Sequence, residues 1–308
     1  MSLGAIPGTG PATSPLPFIK KSTVKTFDSL PEGRTLIMGI LNVTEDSFSD
    51  GGKYLNVDDA IQHGLRMMYA GADIIDVGGE STRPGADFVA PEDEQKRVIP
   101  VVAALVKAGA VVSVDTTHTS TARAALDAGA HIINDVSGLT HEEDMPALIA
   151  ERGVPYVLMH RRGDQQSMTG LTDYTNVVED VVNELKQVRE TFLNAGVKSD
   201  NIIIDPGLGF AKEAHHNWEL LKNLDKLEEL GHDVLVGTSR KRFLGSLLSA
   251  NGKPAAPVER DHATAATTAL AAARGVWAVR VHNIEESLDA VKVVGAWLDP
   301  ESVASAKS

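Results

Sequence analysis

Met38-Gly-Ile-Leu-Asn-Val-Thr-Glu-Asp-Ser-Phe-Ser-Asp-Gly-Gly52 contains, in order, an apolar run, an abrupt polar ending and a loop closed by two glycines. The run Thr35–Leu41 is apolar enough for a buried strand, and Asn42 is the first polar side chain after it. The loop then carries Phe48 and Asp50. The same succession of apolar run, polar residue, loop and helix recurs along the chain. We therefore predict that each repeat adds one polar strand end to a common face.

Short apolar runs rich in valine and isoleucine are spaced along the whole chain. They do not alternate between polar and apolar residues, which is typical of parallel strands that are buried on both faces. The eight predicted strands are Thr35–Leu41, Asp73–Val77, Val111–Val114, His131–Ile133, Pro155–Met159, Asn201–Ile204, Val234–Val236 and Val276–Val281.

Helical patterns separate these strands. The second predicted helix contains Pro100, which is expected to kink or break it, because proline cannot donate a backbone hydrogen bond. The predicted helices are Val57–Ala70, Glu92–Ala108, Ser120–Ala128, Glu142–Arg152, Asn176–Ala195, His216–Leu230, Lys241–Ala250, Asp261–Arg274 and Ile284–Leu298.

Eight strand–helix units in a chain of 308 residues predict a fold of the α/β class, a single (β/α)8 TIM barrel. The competing doubly wound sheet would carry Gly-x-Gly-x-x-Gly after its first strand, and the sequence has no such motif there. We assign residues 35–298 to the barrel. Residues 1–34, rich in Gly, Pro, Ser and Thr, are predicted to form a flexible N-terminal extension, and residues 299–308 a C-terminal tail.

The composition narrows the range of functions. A net charge of −13 argues against a nucleic-acid or anionic-membrane binder, since both need a basic field. No apolar stretch is long enough to span a bilayer, and residues 1–34 lack the apolar core of a signal peptide. The absence of cysteine suits a cytoplasmic protein.

Polar residues follow every predicted strand. Any one of them alone is typical of a turn or a helix cap, but such positions in all eight units are not explained by capping. These residues are Asn42, Glu80-Ser81-Thr82-Arg83, Asp115, Asn134-Asp135, His160-Arg161-Arg162, Asp205, Ser239-Arg240-Lys241-Arg242, Arg280 and His282.

Two kinds of chemistry are represented among these residues. Hydrogen-bond donors suited to a phosphate or diphosphate are expected at the rim. Acceptors suited to the N–H edge of a planar heterocycle are expected at the base. The donors are Asn42, Arg83, Lys241, Arg242, Arg280 and His282, and the acceptor set is Asp115, Asn134 and Asp205. The site is therefore predicted to take a heterocycle that bears an anionic leaving group.

The motifs resemble those of the dihydropteroate synthases, in family order and spacing, from about residue 36 to residue 298. The segments that carry the resemblance are Gly39–Gly52, Asp76-Val-Gly-Gly-Glu-Ser-Thr-Arg-Pro-Gly85, Ser113-Val-Asp-Thr116, Ile133-Asn-Asp-Val-Ser-Gly138, Leu158-Met-His160, Asp205-Pro-Gly-Leu-Gly-Phe210, Ser239-Arg-Lys241 and Arg280-Val-His282.

The resemblance implies a (β/α)8 barrel, usually a homodimer, that binds small-molecule substrates. It implies the joining of 6-hydroxymethyl-7,8-dihydropterin diphosphate to p-aminobenzoate, which gives 7,8-dihydropteroate and diphosphate for folate synthesis. Members of this family are targets of sulfonamides. The implied cofactor is Mg2+, which bridges the diphosphate near Asn42.

The resemblance also implies roles for individual residues. The pterin is held by Asp115, Asn134, Asp205 and Lys241, and the diphosphate by Asn42, Arg280 and His282. Two loops shape the p-aminobenzoate pocket, and their residues are Phe48, Asp50, Thr82, Arg83 and Pro84, with Phe210, Ser239 and Arg242 nearby. The implied catalytic residues are Asp50, Asp115, Lys241, Arg280 and His282.

Three other functions stay open at this point. The barrel could serve a methyltetrahydrofolate:corrinoid methyltransferase, a non-catalytic pterin-binding paralogue, or an aldolase that forms a Schiff base on Lys241. The cations suited to a diphosphate argue against the methyltransferase. Two further positions differ from the family pattern: His118 is expected to be solvated, and Asn283 is expected to cap the helix that follows it.

Overall fold

The computed structural model describes residues 27–44, 57–83 and 85–301. Eight parallel strands lie within these ranges: β1 Leu36–Asn42, β2 Ile74–Gly78, β3 Val111–Asp115, β4 Ile132–Asp135, β5 Tyr156–Met159, β6 Ile202–Asp205, β7 Asp233–Val236 and β8 Ala278–Val281. Each strand pairs with the next one in sequence, and β8 pairs with β1, so that the sheet closes on itself. The prediction of a single TIM barrel is confirmed.

Helices connect the strands in the described part of the chain. They are α1 Val57–Tyr69, α2 Pro91–Lys107, α3 Thr119–Asp127, α4 Met145–Arg152, α5 Val177–Asn194, α6 Ala214–Lys222, α7 Asp225–Glu228, α8 Arg242–Leu247, α9 Asp261–Ala273 and α10 Ile284–Leu298. None of these helices combines the length and the apolar character that a membrane span requires.

Two helix predictions were wrong in detail. Pro100 does not break α2, because it lies on the exposed side, where water can bond the carbonyl that lost its partner. The predicted helix His216–Leu230 is two helices. Asn223 ends the first of them by turning its side-chain N–H back to the carbonyl of Glu219, at 2.7 Å.

The barrel interior begins with an apolar floor. Strand residues alternate between the barrel axis and the surrounding helices, so one set from all eight strands meets inside. The floor consists of Leu36, Met38, Ile74, Val111, Ile132, Val157, Ile203, Leu235 and Ala278. The other face of the strands packs against the helices in a larger core. Each fully buried side chain of this size contributes about 1.5–3 kcal/mol, so the floor is a rigid base for the residues above it.

Residues 27–34 are not separate from the barrel, which corrects the assignment of all of residues 1–34 to a flexible extension. Phe27 and Leu30 pack under the floor beside Trp277. Arg34 binds both carboxylate oxygens of Asp73, at 2.8 and 2.7 Å. Apolar burial and a bidentate ion pair therefore hold this segment to the barrel. The rest of the predicted extension, and residues 302–308 of the predicted tail, lie outside the described residues.

Candidate active site

The polar site lies directly above the apolar floor. Two residues beyond the floor position of each strand, the side chain faces the barrel axis again, because strand side chains alternate with a period of two. In β2, β4, β6 and β8 that next inward residue is Asp76, Asn134, Asp205 and Arg280, respectively. These four polar side chains form the layer directly above the apolar floor. The barrel interior therefore changes from apolar to polar within a single layer.

Arg280 is the centre of this layer. Its Nε donates to Oδ2 of Asp76 and its Nη2 to Oδ2 of Asp115, both at 2.6 Å. The Nδ2 of Asn134 donates to the same Asp76 oxygen, at 3.0 Å. We call Arg280, Asp76, Asp115 and Asn134 the open cluster. Three predicted site residues therefore do meet, within one hydrogen-bonded group.

The expected separation of cations at the rim and acceptors at the base was wrong for Arg280. Strand β8 pairs with β1 in a register that places Arg280 opposite Met38, and Met38 belongs to the floor. The guanidinium therefore lies among the acceptors, where it contacts two carboxylates.

Asp76 is a site residue that the sequence prediction missed. It lies in the middle of an apolar strand and is fully buried. Its Oδ1 has no hydrogen-bond partner among the described residues. An acidic residue inside an apolar run is itself a signal, because an unpaired buried carboxylate is costly.

Electrostatics in the open cluster bring the titration of Asp115 close to neutral pH. Burial raises the pKa of Asp115 to about 7, and the charge of Asp76 also raises it, although Arg280 opposes the shift. The pKa of Arg280 is raised: burial opposes the shift, but the charges of Asp76 and Asp115 outweigh it. The guanidinium is permanently charged, whereas Asp115 changes its charge close to physiological pH.

Lys241 and Asp205 lie on the other side of the barrel axis. Asp205 accepts the backbone N–H of Gly207 at 2.7 Å, which fixes its carboxylate. The Nζ of Lys241 donates to the carbonyl of Leu208 and lies 5.0 Å from the centre of the Phe210 ring. Burial lowers the pKa of Lys241 to about 8, with Asp205 opposing the shift and Arg280 adding to it. The ammonium is therefore partly deprotonated in mildly alkaline solution.

His282 is held by Ser239. The Oγ of Ser239 accepts the backbone N–H of His282 at 3.1 Å and lies 2.9 Å from its Nδ1. Burial, followed by the charges of Arg240 and Arg280, lowers the pKa of His282 to about 3. The imidazole is therefore neutral at pH 7. If the serine hydroxyl donates to Nδ1, the Nε2 carries the hydrogen and can donate it to a ligand.

The remaining predicted residues lie around this centre or outside the described chain. Asn42 ends β1 half-buried, and Phe210 is buried beside Met159 and Met168. Thr82 is half-buried, whereas Arg83 and Arg242 are exposed and do not join the open cluster. The remaining three, Phe48, Asp50 and Pro84, lie outside the described residues.

The two positions that depart from the family pattern are also resolved. Asn283 accepts the backbone N–H of Glu286 and caps α10, as expected. The sequence had predicted that His118 is solvated. This prediction was wrong, because His118 is only 6% exposed. Its Nδ1 lies 3.0 Å from Oε1 of Glu142, and its Nε2 lies 3.8 Å from Oε2 of Glu80. His118 is buried because the loops after β2 and β4 cover it. The sequence around His118 does not show these contacts.

A second buried polar group lies behind the site, and we call it the closed cluster. It consists of His160, Arg162, Tyr174, Glu184 and Lys212. His160 binds Glu184 through Nε2 and Lys212 through Nδ1, at 2.8 Å in both cases. Burial lowers the pKa of His160 to about 3 and holds that of Lys212 well below its usual range. Arg162 pairs with Glu184 and stacks over Tyr174.

Comparisons with known proteins agree with this geometry. Residues 38–282 match the family of pterin binding enzymes. The dihydropteroate synthase of Mycobacterium leprae is 51% identical over 264 residues, which cover 85% of this chain and 93% of that relative. The dihydropteroate synthase of a Streptococcus pyogenes M6 strain is 48% identical over 264 residues, which cover 85% of this chain and 96% of that relative.

Solved structures show the same similarity in three dimensions. A dihydropteroate synthase from Clostridium difficile, crystallised in the presence of pteroic acid, has a TM-score of 0.79 at 42% identity, covering 85% of this chain and 96% of its own. The enzyme from Xanthomonas albilineans with 4-aminobenzoic acid has a TM-score of 0.80 at 41% identity, covering 86% and 94%. The family resemblance of the motifs is confirmed. The chain belongs to the pterin-binding enzymes and, within them, to the dihydropteroate synthases.

Proposed function

We propose that the open cluster and its neighbours join a dihydropterin that bears a diphosphate to p-aminobenzoate, with release of diphosphate. The chain is accordingly a transferase of folate biosynthesis, like its relatives. The observation that carries the proposal is the position of Arg280, a permanent cation that contacts Asp76 and Asp115 at the base of the barrel mouth.

The pterin ring is bound by the acceptors of the barrel base. A pterin presents ring N–H groups and an exocyclic amine along one edge, and carboxylate and amide oxygens are suitable partners for them. Asp115, Asn134 and Asp205 come from the ends of three strands and face the same axis. Lys241, on the Asp205 side, supplies a donor for the ring carbonyl. Such contacts orient the ring with its methylene carbon toward the rim.

The diphosphate is bound by donors that do not require a proton from solution. Arg280 has a fixed positive charge, and neutral His282 can offer one N–H. As the bond from the methylene carbon to oxygen breaks, negative charge accumulates on the departing diphosphate. Prepositioned donors stabilise that charge at the moment it forms, and they supply the largest share of the rate enhancement in sites of this type.

The methylene carbon becomes cationic in a dissociative reaction, and its charge spreads into the pterin ring. The carboxylate of Asp115, when ionised, stabilises that charge from the base of the site. The amine of p-aminobenzoate then forms the new carbon–nitrogen bond and loses a proton. Exclusion of water is essential because water would capture the same carbon.

The donor set at the end of β1 fits a Mg2+ ion bound mainly by substrate. Asn42 offers an amide oxygen, and it pairs with Gly78, which in turn pairs with Asp115. In the described residues, no three or more His, Asp or Glu side chains converge as a protein cage for a metal. This suits Mg2+, which keeps several waters and takes phosphate oxygens as ligands. When bound, the ion would neutralise charge on the diphosphate.

One assay tests the proposed function. The full-length protein is mixed with Mg2+, the pterin diphosphate and p-aminobenzoate, and both diphosphate and dihydropteroate are measured. We expect equal amounts of the two products. When EDTA removes the metal, the rate should fall by at least about tenfold. Release of diphosphate without dihydropteroate would show a hydrolase instead of a synthase.

We further propose that two copies of the chain associate as a homodimer. Helices α9 and α10 pack against each other and carry large apolar side chains on their outer surface. Leu270 is 70% exposed and Trp297 is 83% exposed, which favours a covered rather than a solvated surface. Light scattering on the eluted protein should give twice the mass of one chain, and Trp297→Glu should lower it.

We also propose that the protein is located in the cytoplasm. The sequence contains no cysteine, which suits a reducing compartment. Fractionation of the native host, followed by immunodetection of the chain, tests this location directly. Recovery in the membrane or secreted fraction would contradict it.

A further inference from the structure

A cavity of about 450 Å³ lies beside the barrel mouth, between the loops that follow β2, β3, β4 and β5. Its described lining contains no member of the open cluster, and neither Asp205 nor Lys241. Cavities of this volume are large enough for a small organic ligand. The residues of the lining that matter here are Glu80, Phe88, His118, Ser137, Arg161 and Gln165.

Arg161 is the unusual member of this lining. It is only 3% exposed, yet its Nε and Nη1 have no hydrogen-bond partner among the described residues. A guanidinium carries five N–H donors and is always charged, so burying it without a partner is costly. Buried arginines in folded proteins are normally paired. These two unpaired nitrogens therefore point to a ligand that completes the hydrogen bonding of the guanidinium.

The backbone holds Arg161 firmly in this position. The N–H of Leu139 donates to the Arg161 carbonyl at 3.1 Å. Gly138, with a φ of +60°, lies so close that a Cβ there would be 2.4 Å from the Arg161 nitrogen. The loop after β4 thus clamps the start of the loop after β5. The backbone of Arg161 is therefore fixed before a ligand binds, which lowers the entropy cost of binding.

Two further buried atoms in the same lining lack a hydrogen-bond partner. The Oγ of Ser137 and the Nε2 of His118 have no hydrogen-bond partner in the described part of the chain, and both residues are less than a tenth exposed. Together with Arg161, three residues that line the cavity carry buried polar atoms without a hydrogen-bond partner. Such atoms cost about 1–3 kcal/mol each unless a ligand or water satisfies them.

The carboxylates near the cavity already have partners. Glu80 accepts the side-chain N–H of Gln165 at 2.8 Å. Glu142 is bound by His118 and by the backbone N–H of Thr119. Arg161 therefore remains available to an incoming anion. The same carboxylates make the cavity acidic as a whole, which disfavours a dianion and favours a ligand with a single negative charge.

One wall of the cavity is aromatic. Phe88 is 68% exposed, and its ring meets the His118 ring edge to face, with the centroids 5.3 Å apart. A flat ring placed in the cavity could pack against Phe88 while its charged end reaches Arg161. We propose that this cavity binds a small aromatic monocarboxylate, with Arg161 and Ser137 as donors to the carboxylate and Phe88 against the ring.

This second site does not depend on the synthase reaction, so its test measures binding alone. The probe is 4-fluorobenzoate, followed by fluorine NMR on the full-length protein near neutral pH. We expect saturable binding that Arg161→Met weakens at least about tenfold, the effect of one lost charged hydrogen bond. Arg123→Met is the matched control, because Arg123 lies on the surface of α3 and pairs with Glu151. It should leave the affinity unchanged within about twofold.

A second variant tests the same cavity independently, so that the test does not depend on the folding of Arg161→Met. Thr117→Phe adds bulk to a half-buried lining position and leaves Arg161 in place, and it should also weaken the probe. Binding that neither variant reduces would place the probe elsewhere and overturn the proposal. Absence of saturation up to about 10 mM would do the same, as would tighter binding of inorganic phosphate than of 4-fluorobenzoate.

Discussion

The open cluster and the closed cluster both contain buried, ionisable side chains, but they differ in how completely these side chains are paired. In the closed cluster, both nitrogens of His160 are bonded, and Lys212 bonds His160 and the carbonyl of Phe210. In the open cluster, Asp76 retains an unpaired buried oxygen. Complete pairing is typical of structure, and incomplete pairing indicates a place for a ligand.

Charge differs between the clusters in the same way. Burial leaves His160 neutral and lowers the pKa of Lys212, so the main ionic contact of the closed cluster is Arg162 with Glu184. The open cluster places one arginine between two carboxylates, and one of these, Asp115, has a pKa of about 7. An incoming ligand can change the protonation of Asp115 in the open cluster, whereas His160 in the closed cluster stays neutral near pH 7.

The largest effect is expected from removing the central cation. Arg280→Met should lower kcat/KM for dihydropteroate formation by about 10³, because it removes a charged donor from the departing diphosphate and leaves two carboxylates unpaired. Arg162→Met is the matched change in the closed cluster. It should lower the melting temperature but keep kcat/KM within about tenfold. Equal losses of activity in both variants would remove the distinction between the clusters.

Asp115→Asn should weaken binding of 6-hydroxymethylpterin by about 100-fold, since it exchanges a charged acceptor for a neutral amide. In the unmodified protein, affinity should rise with pH as Asp115 ionises around pH 7, because only the carboxylate accepts two ring hydrogens. Calorimetric titrations between about pH 5.5 and about pH 8.5 measure both effects. A variant that keeps the pH dependence would show that another group titrates.

The layer of polar side chains above the apolar floor was expected from the sequence because strand ends are local features. Asp115, Asn134 and Asp205 each follow an apolar run, and the structure ends the corresponding strand at or next to that residue. Parallel strands then bring those ends together without any knowledge of side-chain contacts. That is why the barrel and its eight strands could be predicted, together with the placement of these three residues at the same end of the barrel.

Pairings between distant parts of the chain could not be predicted. Arg280 is separated from Asp76 by 204 positions and from Asp115 by 165, and they meet only because β8 closes onto β1. The same limit applies to His118, which is buried by loops from other units. The sequence shows which charged residues are present. The register in which β8 pairs with β1 determines which of them form ion pairs.

In the closed cluster, His160 should make stability depend on pH. Its pKa is about 3 in the folded chain and about 6.5 when unfolded, so the unfolded state binds the extra proton between these values. Stability is therefore complete above about pH 6.5 and falls as the pH decreases. At about pH 5 the loss from this group is about 2 kcal/mol.

His160→Gln tests that dependence, because glutamine can donate to Glu184 and accept from Lys212 without titrating. Urea unfolding at about pH 7.5 and about pH 5 should show the variant losing about 2 kcal/mol less than the unmodified protein. An identical loss in both proteins would mean that His160 is protonated in the folded state or does not contribute.

The smallest effect on stability is expected from two lysines, Lys212 in the closed cluster and Lys241 near the open cluster, where the same substitution can be made. Lys212→Met removes the donor to His160 and to the Phe210 carbonyl, but it also removes a buried amine, so the two changes nearly offset. We expect a loss of about 1 kcal/mol in urea unfolding, with pterin affinity within about threefold. Lys241→Met should do the reverse: unfolding should change little, and pterin affinity should fall by at least about tenfold, because this lysine faces the ligand. If Lys212→Met weakened the pterin as much as Lys241→Met does, the closed cluster would be part of the binding site, and complete pairing would not be a guide to a purely structural role.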